Sequence, residues 1–167
     1  MLRKLKEKDI PYMLEWMHDS EINKIFSVNF GEYTHEMVSN FVKNSFDEEN
    51  QHFAVVNQED EYQGTISLKN ISYTDSNAEY AVVFRKSAHG TGLAFQATEE
   101  LLNYAFNELK LERVYLNVLE GNVRARKFYE KVGFTQEGMF KKHKYIQNQF
   151  QNLCWYGILK NDVLKDR

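Results

Sequence analysis

A short glycine-containing stretch has the residue types that can hold an anion: His89-Gly90-Thr91-Gly92-Leu93-Ala94. It follows an apolar run at 77–84 and precedes a long segment with helical spacing of apolar residues. The first turn of a helix has free backbone N–H groups and a partial positive charge, so anions bind there readily. Glycines let phosphate oxygens approach the backbone, and Ala94 keeps the next turn small. The stretch is therefore predicted to be a phosphate-binding turn.

Two well-known phosphate-binding loops do not match this turn. A Rossmann loop has the pattern G-x-G-x-x-G early in the chain, whereas position 95 is Phe and the turn follows several predicted strands. A Walker loop needs G-x-x-x-x-G-K-[ST], which the sequence lacks. A different carrier of a pyrophosphate is therefore expected.

The elements around the turn are predicted to form an α+β fold with one parallel crossover in its middle. Asp9 and Thr34 are predicted to cap the first two helices. The run Ala81–Phe84 suggests a strand that is buried on both faces, and Gly133 supplies a left-handed end to the last long helix. Strands are predicted over 2–6, 52–57, 63–72, 77–84, 113–119, 134–145 and 149–159, and the later helices over 91–110 and 122–132.

Length and composition exclude several classes of protein. The 167 residues are expected to form one domain, 1–167, and the net charge of -3 does not suit nucleic-acid binding. Cys154 is the sole cysteine, so an internal disulfide is impossible, and the scattered histidines predict no metal site. No apolar stretch approaches a membrane span and the N-terminus lacks a signal peptide, so a cytoplasmic location is expected.

Two ordered motifs resemble those of the GNAT N-acetyltransferase superfamily. The turn at 89–94 resembles the signature [QR]-x-x-G-x-[GA], with His89 in place of Gln or Arg. The segment 116–134, LNVLEGNVRARKFYEKVGF, is similar to the pattern LxVxxxNxxAxxxYxxxGF. The tail is similar to the branch of ribosomal-protein and spermidine acetyltransferases. The resemblance implies a mixed sheet of about seven strands, splayed at its centre, with about four helices.

The resemblance also implies acetyl-CoA as the acetyl donor. Its pantetheine arm would pair with the backbone of Val82, Val83 and Phe84, and Asn122 would cap its own helix and bind that arm. The pyrophosphate would lie on the turn, on the amides of His89, Gly90, Gly92, Leu93 and Ala94, with Thr91 between them.

The resemblance further implies direct transfer of the acetyl group in a ternary complex. Tyr129 matches the family tyrosine near the cofactor sulfur, where a phenol can protonate the departing thiolate. Glu79 is the first candidate for the base that deprotonates the amine, and Asn117 could hold a water there or contact the cofactor. The alternatives for the base are Glu120, His52, His143 and ordered water.

The acceptor amine stays open between a polyamine, an amino sugar and a protein N-terminus, with a small amine favoured. A non-catalytic acetyl-CoA-binding module is a further alternative. The first two helices and the last two strands are expected to bind the acceptor, and a homodimer through those strands is a family-based expectation. An aromatic wall around the acceptor is suggested by Trp16, Phe26, Phe30 and Tyr33. An acidic bias that would suit a polycation comes from Glu32, Glu36, Asp47, Glu48 and Glu49.

Overall fold

A seven-stranded mixed sheet forms the centre of the protein in a computed structural model that describes residues 1–26 and 28–163. The strand order is β1-β2-β3-β4-β5-β7-β6. Neighbouring strands are antiparallel except for β4 and β5, which are parallel, as the predicted crossover requires. The strands are β1 Leu2–Lys4, β2 Gln51–Val56, β3 Tyr62–Ser72, β4 Asn77–Phe84, β5 Arg113–Leu119, β6 Thr135–Ile146 and β7 Gln149–Leu159.

Helices cover both faces of this sheet. The four longer ones correspond to the predicted helices, and two helices of four residues each accompany them in the described part of the chain. Their bounds are α1 Ile10–Met17, α2 Ser20–Asn23, α3 His35–Lys43, α4 Leu93–Asn103, α5 Val123–Val132 and α6 Lys160–Val163. A π-helical turn, Tyr104–Glu108, extends α4 to within two residues of the predicted end at 110. Gly133 ends α5 with φ +114°, as predicted.

The predicted caps of the first two helices have different outcomes. The Thr34 side chain accepts a hydrogen bond from the Met37 amide, 3.3 Å away, and so caps α3. Asp9 precedes α1, but its side chain makes no cap hydrogen bond, so that prediction is wrong. Its buried carboxylate instead accepts from the Arg3 guanidinium at 2.7 and 2.8 Å and from the Lys6 amide at 2.8 Å. A buried carboxylate is stabilised more by a bidentate cation than by a helix end.

The apolar core has one part on each face of the sheet. On the α4–α5 face, Leu101 and Tyr80 pack with the inner residues of the central strands. On the α1–α3 face, Ile10 and Val38 pack against Ala54 of β2. In the described residues, no helix has the length and apolar character of a membrane span, and no three His, Cys, Asp or Glu side chains cluster as a metal site would need.

The sheet is splayed at its centre. β4 and β5 pair only where Asn77–Glu79 faces Arg113–Tyr115. β4 nevertheless stays paired with β3 as far as Phe84. The edge of β4 that faces β5 is therefore open from Tyr80 onwards, and its backbone groups there can pair with an added ligand. The predicted burial of Ala81–Phe84 on both faces is wrong for its first three residues, which are half-buried because the splay removes their neighbouring strand.

Gly64 allows β3 to approach the splayed strand closely. A Cβ atom at this position would lie 2.5 Å from the Val83 carbonyl oxygen and 2.7 Å from Cδ1 of Phe84. Because this overlap displaces the backbone of β4, we expect Gly64→Ala to lower the free energy of unfolding by about 1–3 kcal/mol in denaturant titrations. Gly138→Ala is the control, since a Cβ atom there has nothing within 4 Å. Equal stability of the two variants would contradict the close approach.

Candidate active site

A cavity of about 280 Å³ passes through the sheet at the splay. Successive strand residues point to opposite faces, so Glu79 and Ala81 face the α1–α3 side while Tyr80 and Val82 face the α4–α5 side. All four line this one cavity, together with Tyr129 of α5. The cavity therefore joins the two faces, and two molecules that enter from opposite sides can meet inside it.

The turn before α4 has the geometry of an anion cradle. Gly90 and Gly92 have φ values of +78° and +83°, and a Cβ atom at either position would have nothing within 4 Å. Among the described residues, the amides of Gly90, Thr91, Gly92 and Ala94 have no backbone acceptor. These free N–H groups at a helix start fit the pyrophosphate of acetyl-CoA.

Two of the predicted amide donors in the turn already have partners. The His89 amide donates to the Lys86 carbonyl oxygen at 3.2 Å, and the Leu93 amide lies 3.4 Å from the Thr91 hydroxyl oxygen. Partial burial and the charge of Arg124 lower the pKa of the His89 imidazole. His89 therefore adds no full positive charge to the turn at neutral pH, and the backbone amides supply the attraction.

Tyr129 lies on the α4–α5 side of the cavity and is 8% exposed. Its ring packs edge-on against Tyr80 and Phe134, with centroid distances of 5.9 and 6.0 Å. Burial raises the pKa of its phenol to about 12, so the hydroxyl stays protonated at neutral pH. In the part of the chain that the structure describes, no side chain hydrogen-bonds to this hydroxyl. The hydroxyl can therefore donate to a group that enters the cavity.

Glu79 lies on the opposite side, where β4 leaves β5. Its carboxylate accepts from Lys69 Nζ at 3.3 Å, Asn70 Nδ2 at 2.8 Å and Asn117 Nδ2 at 3.2 Å. Its side chain is 16% exposed. The three donors fix the carboxylate at the cavity wall, where an incoming amine can reach it.

Asn122 caps α5, as the resemblance implied, and it also lines the cavity. Its side-chain oxygen accepts from the Ala125 amide at 3.3 Å and so caps α5. Asn122 also lines the cavity, as do Val82 and Asn117. The same residue can therefore hold the start of α5 and contact a cofactor arm.

The alternative bases lie away from the cavity lining. Glu120 accepts a hydrogen bond from Asn152 Nδ2 at 2.8 Å. His52 contacts the Ser67 hydroxyl at 2.7 Å, and burial lowers its pKa to about 4. His143 is exposed and packs on Phe140, with ring centroids 5.1 Å apart. Glu79 is thus the carboxylate placed to contact a molecule in the cavity.

The predicted aromatic wall is one packed cluster around Phe30. Its ring lies 5.3 Å from Trp16, 5.2 Å from Phe26 and 5.1 Å from Tyr33, measured between centroids. Trp16 is buried and donates from Nε1 to the Tyr62 hydroxyl at 3.0 Å, so it belongs to the core. Of the four predicted aromatic residues, Phe26 lines the cavity. The five acidic residues of this N-terminal part are exposed and lie outside the cavity lining.

Sequence reasoning missed several residues on the α1–α3 side of the cavity. These are Ile25, Lys69, Lys144, Ile146 and Leu153. Neither of the two motifs contains them. Ile25 follows α2, and the other four residues are brought to the cavity by the positions of β3, β6 and β7 in the sheet. Alternation along β3 could have placed Lys69 on the same face as Glu79, because the two residues are register partners.

A second cavity of similar volume lies between α4, α5 and α6. Its walls include Leu102, Phe106 and Ile158, with Glu99 and Asp162 at its polar edge. Of the motif residues, only Val132 and Gly133 at the end of α5 line it, and it shares no lining residue with the cavity at the splay. The cavity at the splay is therefore the candidate active site.

Comparisons with known proteins identify the family of this chain. Residues 1–135 match the acetyltransferase (GNAT) domain family. Spermidine N(1)-acetyltransferase of Escherichia coli (strain K12) is 26% identical over 165 residues, covering 99% of this chain and 88% of that protein. YdaF of Bacillus subtilis (strain 168) is 33% identical over 99 residues, which is 59% of this chain and only 54% of YdaF.

The fold also matches a solved structure. The complex of Vibrio cholerae spermidine N-acetyltransferase with CoA and spermine superposes with a TM-score of 0.90 at 24% identity, covering 98% of this chain and 97% of that one. At this identity the likeness shows the fold alone. Because the family match spans residues 1–135, the chain belongs to the GNAT acetyltransferases, enzymes that take their acetyl group from acetyl-CoA.

Proposed function

We propose that the protein transfers acetyl directly from acetyl-CoA to a primary amine of a small acceptor. The observation that carries this proposal is the cavity through the splay, with Glu79 on one face of the sheet and Tyr129 on the other. An amine entering from the α1–α3 side would meet a thioester held between β4 and β5. Because the two reactants meet directly, the transfer needs no acetyl-enzyme intermediate and no nucleophilic side chain to form one.

The residues around the cavity have separate roles in this proposal. Acetyl-CoA supplies the activated thioester. The turn at 89–94 holds its pyrophosphate, and the open backbone edge at Val82–Phe84 pairs with its pantetheine arm. Glu79 takes a proton from the ammonium group, which must become neutral before it attacks. Tyr129 donates its proton, or a hydrogen bond, to the departing sulfur.

Glu79→Gln tests the proposed base. Glutamine keeps a side-chain oxygen and the same length, but it cannot accept the proton. We expect kcat/KM for the amine to fall about 10²-fold and the acidic limb of its pH–rate profile to disappear, while acetyl-CoA affinity changes little. Glu120→Gln is the control, since Glu120 lies outside the cavity lining. An unaltered acidic limb in the Glu79 variant would eliminate this carboxylate as the base.

The acceptor is proposed to be a polyamine or an amino sugar. Similarity to spermidine acetyltransferases over nearly the whole chain supports a small amine. A release assay for CoA thiol, with spermidine, amino sugars and N-terminal peptides, tests this choice. Turnover confined to peptides would instead support a protein N-terminal acetyltransferase.

A homodimer through β6 and β7 stays a prediction, and the exposed side chains of Phe140, Tyr145 and Phe150 provide apolar surface there.

A further inference from the structure

The charges inside the cavity discriminate between possible acceptors. Two lysines, Lys69 and Lys144, line the cavity together with one carboxylate, Glu79. Lys69 forms an ion pair with Glu79 at 3.3 Å. Lys144 is half-buried, and within residues 1–26 and 28–163 it has no carboxylate within ion-pair distance. The cavity wall therefore carries a net positive charge, centred on Lys144.

Lys144 lies on the acceptor side of the sheet. It pairs with Gln151 of β7, and Leu153, two residues further along β7, also lines the cavity. Residues two apart on a strand share a face. Cys154, which comes next, belongs to the core on the α4–α5 face. Lys144 therefore points to the α1–α3 face, opposite Tyr129 and away from the proposed position of the thioester.

A polycation would find little compensation in this cavity. Its second ammonium group would meet Lys144, and the one carboxylate of the lining is already paired with Lys69. Charges of like sign repel strongly where protein walls exclude water. The acidic residues Glu32, Glu36 and Asp47 are exposed and lie outside the lining, so they leave the charge inside the cavity unbalanced.

We infer that the acceptor is a small primary amine that also carries a negatively charged phosphate or carboxylate group, and that Lys144 binds this group. The inference rests on the proposed function and narrows it, because it favours a phosphate-bearing amino sugar over a polyamine. The apolar side chains of Phe26, Ile146 and Leu153 would contact the uncharged part of such a molecule. Glu79 would hold its ammonium end while Lys144 holds the anion, so one orientation is selected.

Matched pairs of amines test this inference in the thiol-release assay. Cadaverine and lysine differ by a carboxylate, and glucosamine differs from glucosamine 6-phosphate and UDP-glucosamine by phosphate groups. Spermidine represents the polycations. Each amine is assayed with the wild-type protein, with Lys144→Gln and with Lys141→Gln. Lys141 is an exposed lysine of the same strand that does not line the cavity, so it controls for net charge.

The wild-type protein is expected to have a higher kcat/KM for the anionic member of at least one pair. Lys144→Gln should lower that value about tenfold without lowering the value for the partner that lacks the anion and without changing acetyl-CoA affinity, and Lys141→Gln should change none of these. The pair that responds distinguishes a carboxylate from a phosphate. The inference would be overturned if spermidine were turned over faster than every anionic amine and Lys144→Gln had no effect. The proposed function would still stand in that case.

Absence of turnover with every amine would contradict the proposed small-amine function instead. Calorimetric titration of glucosamine 6-phosphate and lysine into CoA-saturated protein then tests the cationic site independently of catalysis. Binding that is lost in Lys144→Gln but kept in Lys141→Gln would support the inference. Equal binding by the two variants, or no binding to the wild type, would overturn it.

Discussion

Tyr129→Phe is expected to lower kcat by about 10²–10⁴-fold with little change in acetyl-CoA affinity. The substitution removes only the hydroxyl of a residue that lines the cavity, and this hydroxyl has no hydrogen-bond partner among the described residues. The ring contacts with Tyr80 and Phe134 stay in place, so the fold should be kept. Because burial raises the pKa of this phenol to about 12, the wild-type rate should not fall through its ionisation between neutral pH and about pH 10.

Steady-state kinetics and calorimetry together check this prediction. Tyr73→Phe is a matched control, because Tyr73 is 53% exposed and its hydroxyl lies away from the cavity lining. Wild-type turnover in the Tyr129 variant would remove its role as the acid. A large loss of acetyl-CoA affinity would assign the hydroxyl to binding rather than to proton donation.

Gly92→Val should abolish acetyl-CoA binding at concentrations that saturate the wild type. Gly92 precedes α4 with φ +83°, a conformation that costs an L-residue roughly 1–2 kcal/mol and a β-branched residue more. The new side chain would also extend into the open space beside the turn, where nothing lies within 4 Å of its Cβ atom. The free amides of Gly90, Thr91, Gly92 and Ala94 would then be misdirected or covered.

Calorimetry with acetyl-CoA measures this loss, and thermal unfolding shows whether the variant still folds. Gly138→Val adds the same bulk where φ is not positive and the space is open, so it should bind acetyl-CoA normally. Unchanged binding by a folded Gly92 variant would refute the assignment of the phosphate-binding turn.

The sequence predicted the elements of this fold well where the signal is local. Alternating or helical apolar spacing gave the strands and the four longer helices, and Thr34 and Gly133 marked helix ends through their own chemistry. The glycine turn before α4 was also predicted, since it depends on two glycines next to a helix start, and its binding of a phosphate stays a prediction. The predicted cap at Asp9 was wrong because the Asp9 carboxylate pairs with Arg3 instead. Arg3 is brought near by β1, the strand before it, and this ion pair outweighs the local cap.

The acceptor side could not be predicted, because it depends on register. β6 contains a register shift between Phe140 and Lys144, and this shift decides which lysine of the run 141–144 faces the cavity. A slip of one residue turns each side chain to the other face. The half-burial of Val82 also depends on tertiary structure. The local apolar run predicts a strand on each side of β4, but the splay removes β5 from beside Val82.

Direct transfer is tested most immediately by initial rates measured while the concentrations of acetyl-CoA and of an accepted amine are both varied. If both reactants meet in the cavity through the splay, the reciprocal plots should intersect, and no acetyl group should become attached to the protein when the amine is omitted. Parallel plots, together with an acetylated protein that passes its acetyl group to the amine without acetyl-CoA, would contradict the account.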